Sequence, residues 1–327
     1  MKAGIVTTRA EVGLYDQRHS DGWMDFWPAY RRKRIVELIR STGIPSNARV
    51  LEYGCGVGVF AEALKGTLPA LDVHGCDIST VAVARAGKRC SDVRYYLVDS
   101  PELERLAGTC DLIYTHHVLE YVVDIPAVLS DMCRLLKPGG KILHIVPCGN
   151  PGSLEHKISS LTKAGIDTAG RFCCDDPSHA RRLTSDELVA ACREQGLALS
   201  DAVFANQFWG AVDYLTDTYH WTLLGWLDPL QGASAMAKSK LLLMTVTFGG
   251  LSLLRRGPAY IFRMLAKARS VAKRVLAFLA LPFAICLYPL SLAVDWFLGR
   301  QRDREWDTGR NAPNGSEMYL LFERDNS

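Results

Sequence analysis

The sequence lacks the cysteine patterns of disulfide-bonded and zinc-binding proteins. Its ten cysteines contain no C-x-x-C pair and no paired framework, and the first eleven residues hold no apolar stretch typical of a secretion signal. Cys173 and Cys174 are adjacent, and adjacent cysteines rarely chelate one tetrahedral ion, so we expect no metal site with the nearby His179. These absences predict an unsecreted protein of the reducing cytosol that uses no metal.

The chain also has little net charge, but its charges are unevenly distributed. The formal net charge is +3, whereas residues 231–305 carry twelve Lys or Arg and three Asp or Glu, a net of +9 that leaves −6 for the remainder. A basic segment attached to an acidic body predicts an anionic surface as partner. The basic residues alternate with long aliphatic side chains rather than aromatic ones, which favours lipid and gives no sign of a nucleic-acid-binding module.

One stretch organises the rest of the sequence. Residues 49–58 form a short apolar run that contains Glu52 and closes on glycines at alternate positions, Gly54, Gly56 and Gly58. This pattern predicts a buried parallel strand, a tight turn and a following helix. Glycine lets the backbone approach a ligand closely, so we expect a ligand where the carboxyl end of the strand meets the helix.

The glycine spacing differs from that of a dinucleotide-binding loop. Such a loop has G-x-G-x-x-G, whereas this chain has G-x-G-x-G, and Glu52 lies two residues before the first glycine. A carboxylate there would repel a pyrophosphate and suits a cationic ligand. The stretch resembles motif I of the class I S-adenosylmethionine (SAM)-dependent methyltransferases, whose cofactor carries an ammonium and a sulfonium.

Later segments strengthen this resemblance. A second predicted strand ends at Asp77, which can accept hydrogen bonds from a ribose diol, and a third precedes Asp99. The fourth strand is followed by H-H-V-L-E-Y-V, a helix, L-L-K-P-G-G and a fifth strand, an order similar to that of small-molecule and lipid methyltransferases. Tyr121 stands where many relatives have His, which weakens the transfer of a specific role to that loop.

The resemblance implies a fold, a cofactor and a set of site residues. The fold is an α/β, Rossmann-like, doubly wound seven-stranded sheet with a helical insertion before the last strand. We predict a SAM-binding core over 1–209, the insertion over 210–313, and a terminal strand within 314–327 that returns to the sheet. The residues implied for SAM are Glu52, Gly54, Cys55, Gly56, Gly58, Asp77, Ile78, Asp99, Ser100 and Thr115.

An oxygen acceptor would need a base, and histidine suits that task near neutral pH. His116 and His117 follow the fourth strand and are the candidate catalytic residues. His144 lies within a strand and is expected to be packed, while His179 would close the pocket or fix its own loop. For each histidine a structural role stays open.

The N-terminal region and the insertion complete the organisation. Residues 15–40, including Trp23, carry a helical pattern expected to help roof the cofactor. Residues 241–254 are uncharged but interrupted by two glycines, residues 260–274 are amphipathic, and residues 275–294 are uncharged but broken by Pro282 and Pro289. Twenty apolar residues would span a bilayer, yet the terminal strand must rejoin the sheet.

We therefore predict a monotopic protein at the cytoplasmic face of the membrane, its apolar helices dipping into one leaflet. A soluble substrate cap or a dimer interface is the alternative for the insertion. The predicted function is SAM-dependent O- or C-methylation of a small amphiphilic or lipid-linked acceptor. The alternatives are an NAD(P)-dependent oxidoreductase and a non-catalytic membrane adaptor that keeps the fold.

Overall fold

The computed structural model describes residues 9–22, 25–217, 220–268 and 270–324. Trp23, part of the predicted N-terminal pattern, lies outside them. The chain divides into two compact units: unit 1 comprises Met1–Pro147, Leu183–Ala202 and Tyr319–Ser327, and unit 2 comprises Cys148–Arg182 and Val203–Met318. This grouping places Cys148–Arg182 with the helical insertion, whereas the boundaries proposed from the sequence stay a prediction.

A seven-stranded mixed sheet forms the centre of the fold. Its strands are β1 (Arg49–Tyr53), β2 (Asp72–Asp77), β3 (Arg94–Leu97), β4 (Cys110–His116), β5 (Leu136–Pro147), β6 (Leu197–Ala205) and β7 (Glu317–Arg324). Their order is β3-β2-β1-β4-β5-β7-β6, and β1 pairs in parallel with both β2 and β4. The terminal strand returns to the sheet, as predicted, and lies between β5 and β6; the Rossmann-like fold class is confirmed.

Twelve α-helices occur in the described ranges. They are α1 (Arg9–Ser20), α2 (Ala29–Ser41), α3 (Val59–Thr67), α4 (Thr80–Arg89), α5 (Pro101–Glu104), α6 (Ile125–Leu135), α7 (Leu154–Leu161), α8 (Ser185–Glu194), α9 (Trp209–Asp217), α10 (His220–Trp226), α11 (Ala235–Lys267) and α12 (Val271–Gly309). Short 3-10 helices cover Leu119–Tyr121 and Pro229–Gln231.

Side-chain caps fix where several helices begin. Ser79 Oγ accepts a hydrogen bond from Ala82 N at 3.1 Å at the start of α4. A capping box begins α8, because Thr184 N donates to Glu187 Oε2 at 2.7 Å and Glu187 N donates to Thr184 Oγ1 at 3.3 Å. Caps of this kind can be recognised in a sequence, because the capping side chain and the backbone N–H that it binds lie within one helical turn.

The N-terminal helical pattern is interrupted in the structure. Residues 15–40 fall in two helices, α1 and α2, rather than one. Gly22 has φ +86°, a left-handed conformation that ends α1, and Pro28 has an extended backbone directly before α2. The predicted helical pattern is thus divided between α1 and α2.

The Lys-Pro-Gly-Gly stretch at residues 137–140 lies within β5. Cys110 of β4 pairs with Leu136 of β5, and Leu112 pairs with Lys141. The strand thus gains extra residues opposite β4, and Gly139 adopts φ +67° inside the bulge. The Pro-Gly-Gly signal marks a bulge in this strand rather than a connection between two elements.

Unit 2 is mainly helical. Its core contains buried apolar side chains from α7, α9, α10, α11 and α12, among them Leu154, Leu223, Leu241 and Leu298. Both long helices run through the glycines and prolines expected to break them; α11 ends at Lys267 and α12 begins at Val271. A proline removes one backbone hydrogen bond, which a helix of 33 or 39 residues with many others absorbs. By length and composition, α11 and α12 would each be able to cross a membrane.

Candidate active site

The loop after β1 adopts a backbone that favours glycine. Gly54, Gly56 and Gly58 have φ values of +80°, +49° and +77°. A Cβ at Gly54 would lie 2.3 Å from Val118 Cγ2, and one at Gly58 would lie 2.7 Å from Tyr95 Oη. Side chains are therefore excluded here, and the loop offers bare backbone at the carboxyl end of β1.

Asp77, the last residue of β2, braces this loop. Its Oδ2 accepts a hydrogen bond from Gly56 N at 2.8 Å, and its Oδ1 accepts one from Ser79 N at 2.9 Å. Burial raises the pKa of Asp77, while these two hydrogen bonds act in the opposite direction. Because each carboxylate oxygen can accept two hydrogen bonds, Asp77 can hold the loop and still accept from a ligand.

Glu52 lies within β1 and is buried. Its Oε2 accepts a hydrogen bond from Ala61 N at 2.9 Å, in the first turn of α3. Burial raises the pKa of Glu52 to about 8, although this hydrogen bond favours the charged form. The geometry shows a carboxyl that supports α3; contact with the cationic part of a cofactor stays a prediction.

Three further predicted residues surround the loop. Cys55 is buried, and its thiol points to Gly56 O at 3.6 Å. Ile78 is half-buried immediately after β2. Thr115 is fully buried, and its Oγ1 lies 2.9 Å from His144 Nδ1. Its side chain therefore links β4 to β5, and only its backbone is available to a ligand.

Asp99 and Ser100 follow β3. Asp99 is exposed and has φ +66°, an unusual conformation for a residue other than glycine. Ser100 Oγ accepts a hydrogen bond from Leu103 N at 3.2 Å and caps α5. The Ser100 side chain thus has a structural use, whereas Asp99 remains the candidate ligand of this pair.

Helix α1 contributes residues that the sequence analysis missed. Asp16 accepts hydrogen bonds from Ser79 Oγ at 2.6 Å, Thr80 Oγ1 at 3.1 Å and Val81 N at 3.2 Å, at the start of α4. A Cβ at Gly56 would lie 3.4 Å from His19 Cε1. Helix α1 therefore lies against the glycine loop and the start of α4, and its role as a roof over the cofactor stays a prediction. No local pattern reveals this contact, because Asp16 and Ser79 are 63 residues apart.

The two candidate catalytic histidines lie in one aromatic cluster. The His116 ring centroid is 4.2 Å from that of Phe60 and 4.7 Å from that of Trp27, so His116 is packed. The His117 ring stacks on Trp27 at 5.6 Å with an interplanar angle of 29°. His117 Nδ1 lies 2.7 Å from Glu120 Oε1. The sequence analysis did not assign a role to Glu120, although its spacing of three residues from His117 was visible.

Comparison with known proteins decides the family. A family model described as a methyltransferase domain (Methyltransf_23) matches residues 27–201, more than half of the chain. The chain belongs to this methyltransferase family. The predicted family and its cofactor, SAM, are thereby confirmed.

The methyltransferase is similar to enzymes of differing stated activity. It is 27% identical over 214 residues to phosphoethanolamine N-methyltransferase 1 of Triticum aestivum, covering 61% of this chain but only 41% of that enzyme. It is 31% identical over 173 residues to the ubiquinone biosynthesis O-methyltransferase of Xanthomonas axonopodis pv. citri, covering 51% and 69%. The solved phosphoethanolamine N-methyltransferase 2 of Haemonchus contortus superposes with a TM-score of 0.45 and 16% identity, covering 98% of this chain and 58% of that one.

The residues of this methyltransferase fit SAM. The glycine loop leaves a cradle that a Cβ would fill, and Glu52 and Asp77 place two buried carboxyl groups beside it. Tyr95 Oη, next to Gly58, is buried and has no hydrogen-bond partner within the described ranges. When bound, SAM supplies an electrophilic methyl group on a sulfonium; the assignment of individual contacts stays a prediction.

The remaining histidines have structural surroundings. Burial lowers the pKa of His144 to about 3, so this fully buried ring is neutral and packed, as expected. His179 is buried in unit 2, with Nδ1 4.0 Å from Asp175 Oδ1. Arg182 Nη1 binds the same Asp175 oxygen at 2.6 Å, and Ser159 Oγ donates to Cys173 Sγ at 3.3 Å. The Cys173–His179 stretch thus has identified structural partners.

Proposed function

We propose that this methyltransferase transfers the methyl group of SAM to an amphiphilic acceptor at a membrane surface. One observation carries the membrane part of the proposal. Helices α11 and α12 pack against each other as an antiparallel pair, which we call the hairpin; α12 buries mainly small side chains and exposes large apolar ones. Soluble proteins arrange these two classes of side chain the other way round.

The buried face of α12 shows the pattern most clearly. Ala277, Ala284, Ser291 and Leu298 are buried at seven-residue intervals, and Ser291 Oγ donates to Arg255 O of α11 at 2.7 Å. Small residues let two helices approach closely, as they do in membranes. The exposed face includes Val275, Leu276, Phe278, Leu279, Phe283, Ile285, Leu290, Leu292 and Trp296, each at least half exposed. An apolar surface of this extent marks a site of interaction.

Charge and length fit an anionic lipid surface. Residues 275–294 contain no charged side chain, and at 1.5 Å per residue they extend about 30 Å, the thickness of a bilayer core. Lys273 and Arg274 precede this run, and Arg300 and Arg304 follow it. A basic residue near an anionic membrane contributes about 1 kcal/mol to binding.

A buried arginine within the hairpin is fully paired. Arg255 Nη2 binds Asp213 Oδ1 at 2.8 Å, and Arg255 Nε binds Asp295 Oδ1 at 2.7 Å. Arg302 Nη1 binds the other Asp213 oxygen at 2.7 Å. Neutralising these charges lets a charged group lie next to an apolar surface.

The relatives differ in the acceptors that their names state. Their names refer to ubiquinone biosynthesis, demethylmenaquinone and phosphoethanolamine, and include both O- and N-methyltransferases. Others act on trans-aconitate by name, a soluble acceptor, so the hairpin rather than the relatives favours lipid. The basic flanks favour the cytoplasmic face, where the positive-inside rule places them.

Vesicle flotation tests membrane binding. The full chain should float with vesicles of mixed neutral and anionic phospholipid, and a Leu279→Lys, Phe283→Lys double variant should stay at the bottom of the gradient. Both residues are exposed on the hairpin, at 66% and 72%. The matched control is Leu199→Lys in β6, where an exposed leucine lies on unit 1. Equal flotation of the three proteins, or none by the full chain, would contradict the membrane proposal.

A labelled-methyl assay tests the reaction. The protein is incubated with SAM carrying a radioactive methyl group and a crude lipid extract, and the products are partitioned between organic solvent and water. Label in the organic phase supports transfer to a lipid. Transfer only to added water-soluble metabolites would make the hairpin a substrate cap or interface, and SAM binding without any transfer would favour the non-catalytic adaptor.

A further inference from the structure

The segment after β4 has a backbone conformation that costs free energy. His117 has φ +55°, and its backbone N–H donates to Ile145 O of β5 at 2.9 Å. Residues other than glycine rarely adopt this region, and such conformations cluster where a side chain must be aimed at a ligand. The backbone here directs the imidazole away from the course that an extended strand would give it.

A buried carboxylate holds the imidazole. Glu120, in the short helix Leu119–Tyr121, is 1% exposed, and its Oε1 lies 2.7 Å from His117 Nδ1. Burying a carboxylate is unfavourable unless it is paired. Its second oxygen, Oε2, has no hydrogen-bond partner in the part of the chain that the structure describes. The Glu120 carboxyl group is therefore positioned to bind the His117 ring.

This pair fixes the tautomer of the ring. With a carboxylate accepting from Nδ1–H, the lone pair of the neutral imidazole lies on Nε2, and the carboxylate stabilises the imidazolium that forms when Nε2 takes a proton. Trp27 stacks on the same ring at 5.6 Å and restricts its rotation. His116, whose ring centroid is 4.6 Å from that of His117, is packed between Phe60 and Trp27.

The pair lies beside the cofactor cradle. Val118, the residue after His117, covers the first glycine of the loop so closely that a Cβ at Gly54 would lie 2.3 Å from its Cγ2. The His117 segment and the glycine loop thus form one surface at the carboxyl ends of β1 and β4.

We propose that His117 is the general base of the methyl transfer and that Glu120 is its positioning residue, so that the acceptor atom is a hydroxyl oxygen. This inference rests on the proposed function. As the new oxygen–carbon bond forms, the hydroxyl proton passes to His117 Nε2. The sulfur–carbon bond breaks, and its electron pair remains on sulfur. The imidazolium then releases one proton to solvent for each methyl transferred.

Titration of His117 tests the pair without any acceptor. Full-length protein in detergent micelles, with labelled histidine, is followed by NMR, and His117→Gln identifies the relevant one of eight histidine signals. Glu120→Gln should lower the pKa of His117 by about one unit or more, because a carboxylate within hydrogen-bond distance favours the charged form. Glu120→Asp should restore part of that shift. Glu102→Gln, which removes an exposed carboxylate of α5, is the matched control.

Activity provides the second readout, with the lipid extract as the acceptor source. His117→Gln should lower kcat about 10²- to 10⁴-fold, and Glu120→Gln at least about tenfold, with the affinity for S-adenosylhomocysteine unchanged. In Glu120→Gln the acidic limb of the pH–rate profile should move to lower pH. A purely structural role for Glu120 would lower stability and leave that limb in place.

The outcomes separate this inference from the proposed function. A product methylated on nitrogen or carbon, full activity of His117→Gln, or an unchanged His117 titration in Glu120→Gln would overturn the base assignment while methyl transfer stands. Absence of transfer to any acceptor by the unaltered protein would overturn both. A methyl ether product with a shifted titration supports both, whereas a methyl ester would overturn the base assignment, because a carboxylate acceptor has no proton to remove.

Discussion

The two units of this methyltransferase bury carboxylates in different ways. In unit 1, Glu52 and Asp77 are held by backbone N–H groups of α3 and of the glycine loop. In unit 2, Asp213 is bound by two arginines, Arg255 and Arg302. Arg182 likewise binds two buried acids of unit 2, Glu155 at 2.9 Å and Asp175 at 2.6 Å.

The two kinds of partner suit a buried acid to different roles, one structural and the other ligand binding. Ion pairs with arginine neutralise a buried acid permanently, and they fix the helices and loops that supply it. Backbone N–H groups orient a carboxyl but supply no full positive charge, so burial continues to raise its pKa. A cationic ligand would favour ionisation of such a group. We therefore regard the acids of unit 1 as the ones available to SAM.

The largest expected effect comes from removing an arginine of unit 2. Arg182→Met leaves Glu155 and Asp175 buried and without their shared partner, and should lower the free energy of unfolding by about 3–5 kcal/mol. Lys33→Met, which removes an exposed cation near Glu37, should change it by less than about 1 kcal/mol. Chemical denaturation in detergent measures both. Equal losses of unfolding free energy in the two variants would show that the buried ion pairs stabilise the fold no more than an exposed one.

A pH dependence should arise from Glu52. Its pKa is about 8 in the folded state and 4.5 ordinarily, so the unfolded chain releases this proton first as pH rises. Stability contributed by the protonated group is complete below pH 4.5, falls by about 1 kcal/mol per pH unit above it, and levels off near pH 8. Glu52→Gln should remove this slope. A slope that persists in the variant would show that Glu52 is already ionised in the folded protein.

Cofactor affinity should depend on Asp77. Asp77→Asn retains the shape of the side chain but loses the charge and one strong acceptor for Gly56 N or Ser79 N, and should weaken SAM binding at least about tenfold. Isothermal calorimetry measures the affinity, with Asp92→Asn, an exposed acid of the same unit, as the control. Unchanged affinity would show that Asp77 does not bind the ribose of SAM. It would also contradict the assignment of the buried acids of unit 1 to cofactor binding.

The smallest effect concerns a polar residue of unit 1 that the structure uses as a cap. Ser100→Ala should lower the free energy of unfolding by about 1 kcal/mol, because Leu103 N loses its acceptor. SAM affinity should stay within about twofold, a difference below 0.5 kcal/mol. A larger loss of SAM affinity would show that the Ser100 side chain contributes to cofactor binding.

Local signals in the sequence predicted most of the sheet and the glycine loop. The apolar runs and the three alternate glycines each act within a few residues, and the family resemblance implied that a terminal strand returns to the sheet. The end of α11 at Lys267 and the start of α12 at Val271 were not predicted, because where two long apolar helices separate depends on how they pack against each other. The Asp16 cap and the packing of His116 on Phe60 also escaped prediction, since their partners are distant in the chain.

The position of β7 has a consequence for biosynthesis. The ribosome completes this strand only after the whole hairpin has been made, yet its place in the sheet is between β5 and β6. Until then those two strands have a gap between them, and the nascent sheet keeps unpaired edges. Under the proposed membrane binding, the hairpin would contact lipid before β7 is synthesised. The catalytic unit would then complete its sheet at the membrane surface.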